Sequence, residues 1–287
     1  MNHTYAHPFQ SQWGRLLARL FNSPSIAAAR RALMSRMPFL VLESDVVDVV
    51  YATWLVDASE AARLAPPGCR LLMREGFTPL TILSYRHGHF GPRLLGPLRR
   101  FMPSPLQSNW RLYLAEAMPG GTPVATVAFV HNVMDSLLHV AATRVFSDAL
   151  PSHWPRTFEF SVGATEAKVR IEPGTGSAPA LGLRFERHAE TELTAAWQQW
   201  FGNWREAVDQ LATQHAAVLE VPTGPGGIRR VAEATISLPV DVSAVEPMKL
   251  VDAETFCPLL EMLHARTESL CFLLPRVRFA ALSEKLL

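Results

Sequence analysis

Lysine is almost missing from this chain: of 27 basic residues only Lys168, Lys249 and Lys285 are lysines, and the other 24 are arginines. Chemistry that needs a lysine amine therefore has three candidates, each isolated in sequence. The arginine excess fits a GC-rich coding sequence and needs no functional cause. Cysteine is scarce as well. Cys69, Cys257 and Cys271 lie far apart, with no CxxC and no His/Cys ligand spacing. That argues against a disulfide framework or a structural zinc site and reads as buried free thiols in a reducing cytoplasm. No apolar run approaches the ~18 residues of a spanning helix, and no signal-peptide pattern opens the chain. Acidic residues are absent before Glu43 and again between Glu75 and Glu116. The net charge is only +1, so a surface built throughout for nucleic acid is not expected.

What is present is enough apolar material for a large core: 48% of the 287 residues are hydrophobic and 18% are charged. Residues 1–38 read as an N-terminal helical extension. Trp13, Leu16, Leu17, Leu20 and Phe21 fall at helical spacing, with Arg15 and Arg19 off that stripe. The expectation is a helix that packs its Trp/Leu face onto its own domain. A membrane-surface helix over 13–21, or a transit peptide, is the less favoured alternative.

Residues 39–287 read as one α+β domain. The β-branched run from Phe39 to Asp57 predicts one or two strands, and Ala58 to Leu64 a short helix starting near Ser59. Leu71 to Arg86 predicts paired strands. The breakers from Arg86 to Pro105 predict a loop. Thr122 to Val133 is apolar on both alternations, as in a strand buried on both faces. Asp135-Ser136 caps a short helix. Hairpin strands follow over 157–162 and 166–171, then a strand over 180–187. The spacing of Leu193, Trp197, Trp200, Phe201, Trp204, Val208 and Leu211 predicts one long helix from Glu190 to Leu219, packed in the core. A turn at Thr223 to Gly227, a strand over 231–242, a helix near 256–267 and a strand near 270–279 complete the chain.

Several segments together resemble a known family. They are Trp54-Leu55-Val56-Asp57, the turn from Leu64 to Gly68, Asn109-Trp110-Arg111-Leu112-Tyr113-Leu114, Arg144 to Pro151, and the helix around Trp197 to Arg205. Over roughly residues 49–242 the chain is similar to the domain of unknown function 2071, a branch of the acetoacetate decarboxylase-like superfamily. Trp110 and Leu112 replace smaller residues of the family pattern. The resemblance implies a mostly antiparallel, curved sheet closing into a cone-like β-barrel with covering helices. It also implies a pocket beside the turn at Pro151, where those decarboxylases carry paired lysines. Here Ser152 and His153 stand in that place, so imine chemistry is not expected.

The candidate ligand residues are Arg111, Tyr113, Glu116, Arg144, Ser152 and His153. Arg111 and Tyr113 share one strand face and offer a bidentate grip on a carboxylate. The alternative is an arginine paired within the fold to Glu75 or Glu116. His153 is a weak candidate for general-base work. His87-Gly88-His89 supplies too few ligands for a metal and reads as solvated loop histidines. His131 and His139 read as core histidines. Asp135, Ser136 and His139 lack a nucleophile elbow, and Gly224-Pro225-Gly226-Gly227 is not a phosphate loop. No metal or cofactor is expected. The expected partner is a small organic molecule, preferentially a carboxylate. Self-association is left open. The alternatives are a lysine-independent lyase- or hydratase-like enzyme and an interaction protein. A hollow barrel favours binding or catalysis, and a filled barrel with an exposed Trp/Leu face favours interaction.

Overall fold

The computed structural model describes residues 3–222, 229–255 and 257–287. The turn expected at 223–227 and residue 256 lie outside the described residues. Two helices come first, α1 (Gln12–Phe21) and α2 (Pro24–Met34). The β-branched run then forms one strand, β1 (Leu42–Asp57), bent at Asp48, whose φ of 57° breaks the register with the neighbouring strand. Asp57 ends the strand and caps α3 (Ala58–Ala62), its Oδ1 accepting from the Ser59 and Glu60 amides at 2.8 and 3.1 Å. The cap is therefore Asp57 rather than Ser59.

β2 (Phe77–Arg86) and the short β3 (Gly91–Pro92) lead into a 3-10 segment, Arg93–Phe101. β4 (Leu106–Tyr113), β5 (Thr126–Met134) and α4 (Leu137–Phe146) follow. Then come β6 (Thr157–Val162), β7 (Glu166–Glu172) and β8 (Leu181–Arg187). The long helix expected from 190 to 219 is instead α5 (Ala195–Gln198), α6 (Trp204–Ala212) and the strand β9 (Ala216–Pro222). Gly202-Asn203 breaks it: the Asn203 side chain accepts from the Glu206 amide and starts α6 afresh. Trp197 and Phe201 are buried as expected. The chain closes with β10 (Arg229–Ser237), β11 (Glu246–Thr255), α7 (Pro258–Met262) and β12 (Ser269–Leu286).

Seven strands pair in a closed ring, β1-β2-β4-β5-β9-β10-β12 and back to β1. Every pair is antiparallel except β5–β9, which the long excursion from α4 to α6 makes parallel. At β12 the sheet branches. Residues 246–248 of β11 pair with its first half, and β8, β7 and β6 continue from β11.

This second layer packs Phe160, Val169, Leu183 and Phe185 against Trp54, Ile82, Trp110 and Leu112 of the ring. A layer that leaves a ring by a side branch lies outside it, so this is the outer face. The opposite face draws residues from all seven ring strands, Tyr51, Leu83, Tyr113, Val127, Leu219, Ala234 and Phe272, and none from β6, β7, β8 or β11. Trp197, Phe201, Val208 and Leu211 of the α5–α6 region close this inner core.

The N-terminal helix packs the other way round from the sequence expectation. Gly14, Ala18 and Phe21 face the body, and a Cβ on Gly14 would meet His7 Nδ1 at 2.7 Å. Trp13, Leu16 and Leu20 face outward, 75%, 54% and 42% exposed. Close approach through the small residues decides the docking face, not the size of the apolar side chains.

Candidate functional site

Alternation along β4 turns Gln107, Asn109, Arg111 and Tyr113 to the inner face, and all four are buried. Arg111 Nη2 and the Tyr113 hydroxyl both donate to the carbonyl of Leu211, at 2.7 and 2.9 Å. Leu211 lies in the last turn of α6, where carbonyls lack helical partners and the helix dipole favours a cation. The guanidinium also lies 5.6 Å from the ring centroids of both Tyr51 and Tyr113. Thr81 and Thr53 extend the hydroxyl chain from Tyr113 at 2.7 and 2.8 Å. Arg111 Nε has no hydrogen-bond partner, and no carboxylate pairs with this arginine among the described residues.

A second polar chain crosses the end of the ring. Gln107 Nε2 donates to Asn109 Oδ1 and Asn132 Oδ1, at 3.0 and 2.7 Å. Its Oε1 is then the acceptor for His87 Nε2–H at 2.5 Å, and His87 Nδ1 lies 2.9 Å from the Ser44 hydroxyl, which also donates to the Gly88 carbonyl at 3.2 Å. Burial favours the neutral imidazole here. Burial draws its pKa down to about 4 against the opposing Gln107 bond, and nearby His139 lowers it further. Asn132 Nδ2 continues the chain to Ser152 Oγ at 2.7 Å, which also accepts from Thr143 at 2.8 Å. His87 is thus a buried hub rather than the solvated loop residue expected, whereas His89 is exposed as expected.

Ser152 and His153 follow the turn at Pro151 and are both fully buried. The Ser152 hydroxyl donates to the Leu150 carbonyl, and His153 Nδ1 meets Ser177 Oγ at 2.7 Å. The adjacent serine and histidine therefore do not form a nucleophile–base pair. Arg144, in the last turn of α4, spans this corner. Its Nε donates to the Ser152 carbonyl at 2.6 Å and its Nη1 to the His3 carbonyl at 2.9 Å. Its Nη2 has only long approaches of 3.4 Å to the His153 ring. Burial lowers the guanidinium pKa to about 10, partly offset by Tyr5. Burial, then Arg144, His131 and His3, hold His153 well below the usual histidine range. Burial first, then His131 and to a lesser degree Arg144, draw His3 down to about 3.

The segment from His3 to Pro8 lies across this corner as a strap. Tyr5 exchanges two 2.8 Å bonds with Asn22, and Ser177 and Thr175 bind the backbone of Ala6 and Pro8. Beside it is a shallow crevice lined by His3, Phe129, His131, Asn132, Ala149, Pro151 and Leu219. It is too narrow to admit a water molecule with the strap in place. Phe129 is also the register partner of Arg111.

The structure thus gathers Arg144, Ser152 and His153 at one corner, and Arg111 with Tyr113 along the adjoining inner face. Glu116 joins neither group: it is exposed and pairs with Arg70 at 3.3 Å. In the acid-free stretch from 76 to 115, Arg93 and Arg99 share Glu43 as an ion-pair partner, at 2.5 and 2.8 Å, and Arg99 also approaches Asp45 at 3.6 Å. Sequence reasoning missed His3, Tyr5, His87, Gln107, Asn109 and Asn132. The alternation of Gln107 and Asn109 with Arg111 was the available signal. The lysines lie elsewhere: Lys168 on β7, Lys249 exposed on β11, and Lys285 on β12 against Glu233 at 3.1 Å. No group of three or more His, Cys, Asp or Glu fit to hold a metal occurs among the described residues.

No protein-family model matches the chain, and no curated protein matches it in sequence. Solved structures do match. The chain is similar to the enduracididine biosynthesis enzyme MppR with HEPES buffer bound, at TM-score 0.58 and 12% identity, over 88% of each chain. A structure of MppR complexed with pyruvate matches at TM-score 0.56 and 12% identity, over 87% of this chain and 91% of that one. The acetoacetate decarboxylase of Legionella pneumophila subsp. pneumophila str. Philadelphia 1 matches at TM-score 0.55 and 9% identity, over 87% and 88%. These likenesses show the fold, that of acetoacetate decarboxylase-like proteins.

Proposed function

We infer that this acetoacetate decarboxylase-like chain binds a small organic anion at the Arg144–His153 corner of a cone-like barrel, without imine chemistry. The chain is read as a member of the domain of unknown function 2071 branch. One observation carries the inference: the Arg144 fork faces no carboxylate among the described residues, and the His3 carbonyl of the strap sits on its Nη1. A buried guanidinium calls for an anionic or carbonyl partner, and the strap carbonyl stands where a ligand oxygen would. Displacing His3 frees Nη1 and leaves it beside the under-used Nη2, a bidentate site for a carboxylate. Arg111, with its unpartnered Nε, adds positive charge from the adjoining face.

The crevice has no room for a water molecule, and Trp13, Leu16 and Leu20 are exposed, the combination expected of an interaction protein; small-anion binding at this corner requires the strap to lift. Neutral His153 and His131 then offer a ligand polar partners without repelling its counter-charge on Arg144. That MppR is complexed with pyruvate in a solved structure supports a small carboxylate as the ligand class. A thermal-shift panel tests the inference. Pyruvate and other short carboxylates should raise Tm, and their neutral amides should not. Equal stabilisation by the amides contradicts it.

A further inference from the structure

We propose that this protein docks on anionic lipid surfaces through the outward stripe of α1 together with the 3-10 segment Arg93–Phe101. At 3.6 residues per turn, Trp13, Leu16, Leu17 and Leu20 form one stripe, and Gly14, Ala18 and Phe21, the docked side, form another. The first stripe is not covered. Trp13, Leu16 and Leu20 are exposed, as are Leu94, Leu98 and Phe101 of the 3-10 segment, the last 72% exposed. The two elements belong to one end of the molecule. Phe21 of α1 and Phe90 both pack on the cluster of Tyr5, Met134 and Val140, and Phe90 immediately precedes β3 and the 3-10 segment.

Charge selects the occupant. Arg15 and Arg19 lie on the flank of the α1 stripe away from the body, both exposed and with no ion pair among the described residues. Arg100 is exposed and stacks on Phe101 at 4.8 Å. No acidic residue occurs before Glu43. An apolar stripe flanked by arginines with no counter-charge is the pattern of a helix lying in a lipid interface, its cations reaching the phosphates. A second copy of the chain fits less well. A two-fold contact would set the same arginines against each other. No helix of the described residues is long and apolar enough to cross a membrane, so the contact is superficial.

Co-sedimentation of the full chain with vesicles of two parts phosphatidylcholine to one part phosphatidylserine tests this. Binding should exceed that to pure phosphatidylcholine by about tenfold or more and fall as salt rises. The variant W13S/L16S should lose that binding, as should R15Q/R19Q, while both keep the wild-type melting curve because these side chains contact little. Binding that survives both variants overturns the proposal. So does a chain that ignores the vesicles and instead forms a dimer that W13S/L16S dissolves.

Discussion

Mild acid should destabilise this fold through its buried neutral histidines. His87 and His131 are each held near pKa 4, chiefly by burial, against 6.5 in the unfolded chain. A folded pKa below the unfolded one means that the unfolded state takes up the proton first. Stability from these groups is therefore full above about pH 6.5 and is lost as pH falls towards about 4. Between pH 7 and pH 5.5 each imidazole costs about 1.2 kcal/mol, so the two together cost about 2.5 kcal/mol. His3 and His153 act in the same direction. Burial raises the Asp135 and Glu284 carboxyls, which opposes the trend, and this contribution cancels when a His87 variant is compared with the wild type. Urea unfolding at pH 7 and pH 5.5, followed by circular dichroism, measures the difference. In His87→Gln the pH sensitivity should shrink by about 1.2 kcal/mol, whatever the variant's absolute stability. Stability that is flat from pH 7 to 5.5, or a variant with undiminished sensitivity, refutes the neutral-histidine network.

Borohydride treatment in the presence of pyruvate should leave the protein mass unchanged, because no lysine lies at the Pro151 turn. A reduced adduct on Lys168, Lys249 or Lys285 would reverse that view. Ser152→Ala removes the acceptor for Asn132 Nδ2 and Thr143 and should cost about 1–3 kcal/mol in urea unfolding; a change under a few tenths would mean that these bonds do not form. Trp197→Ala should cost about 3–5 kcal/mol, whereas Trp13→Ala should stay within about 0.5 kcal/mol. Similar losses from both would contradict the outward orientation of α1.

Much of the strand framework was legible in the sequence. The Asn109 to Leu114 run reads as a strand, observed over Leu106–Tyr113, and its alternation puts Arg111 and Tyr113 on one face, as found. The hairpin about Gly163 and the strand expected over 122–133, found over Thr126–Met134, were legible for the same reason. Periodicity failed where it could not distinguish two surfaces. The α1 stripe predicts an amphipathic helix, yet the small residues Gly14 and Ala18 set the side that docks. It failed again at Gly202-Asn203, where an apolar period running on to Val208 and Leu211 hid a helix break. His87 was hidden by the glycines around it, which signal a loop but not where its first residue points. The Leu211 carbonyl as partner of Arg111, and the strap over Arg144, join residues about 100 and 141 apart in sequence. No local pattern records such pairings.

The central claim is that the His3–Pro8 strap holds Arg144 in place of an anionic ligand. Calorimetric titration of pyruvate into three proteins tests it most directly. The wild type should bind with an affinity reduced by strap closure. Asn22→Ala removes both bonds to Tyr5, raises the open fraction and should tighten binding about fivefold or more. Arg144→Gln should abolish binding, provided that its circular dichroism spectrum and cooperative unfolding show a folded chain. Binding that is undiminished in Arg144→Gln, or weakened in Asn22→Ala, contradicts the account.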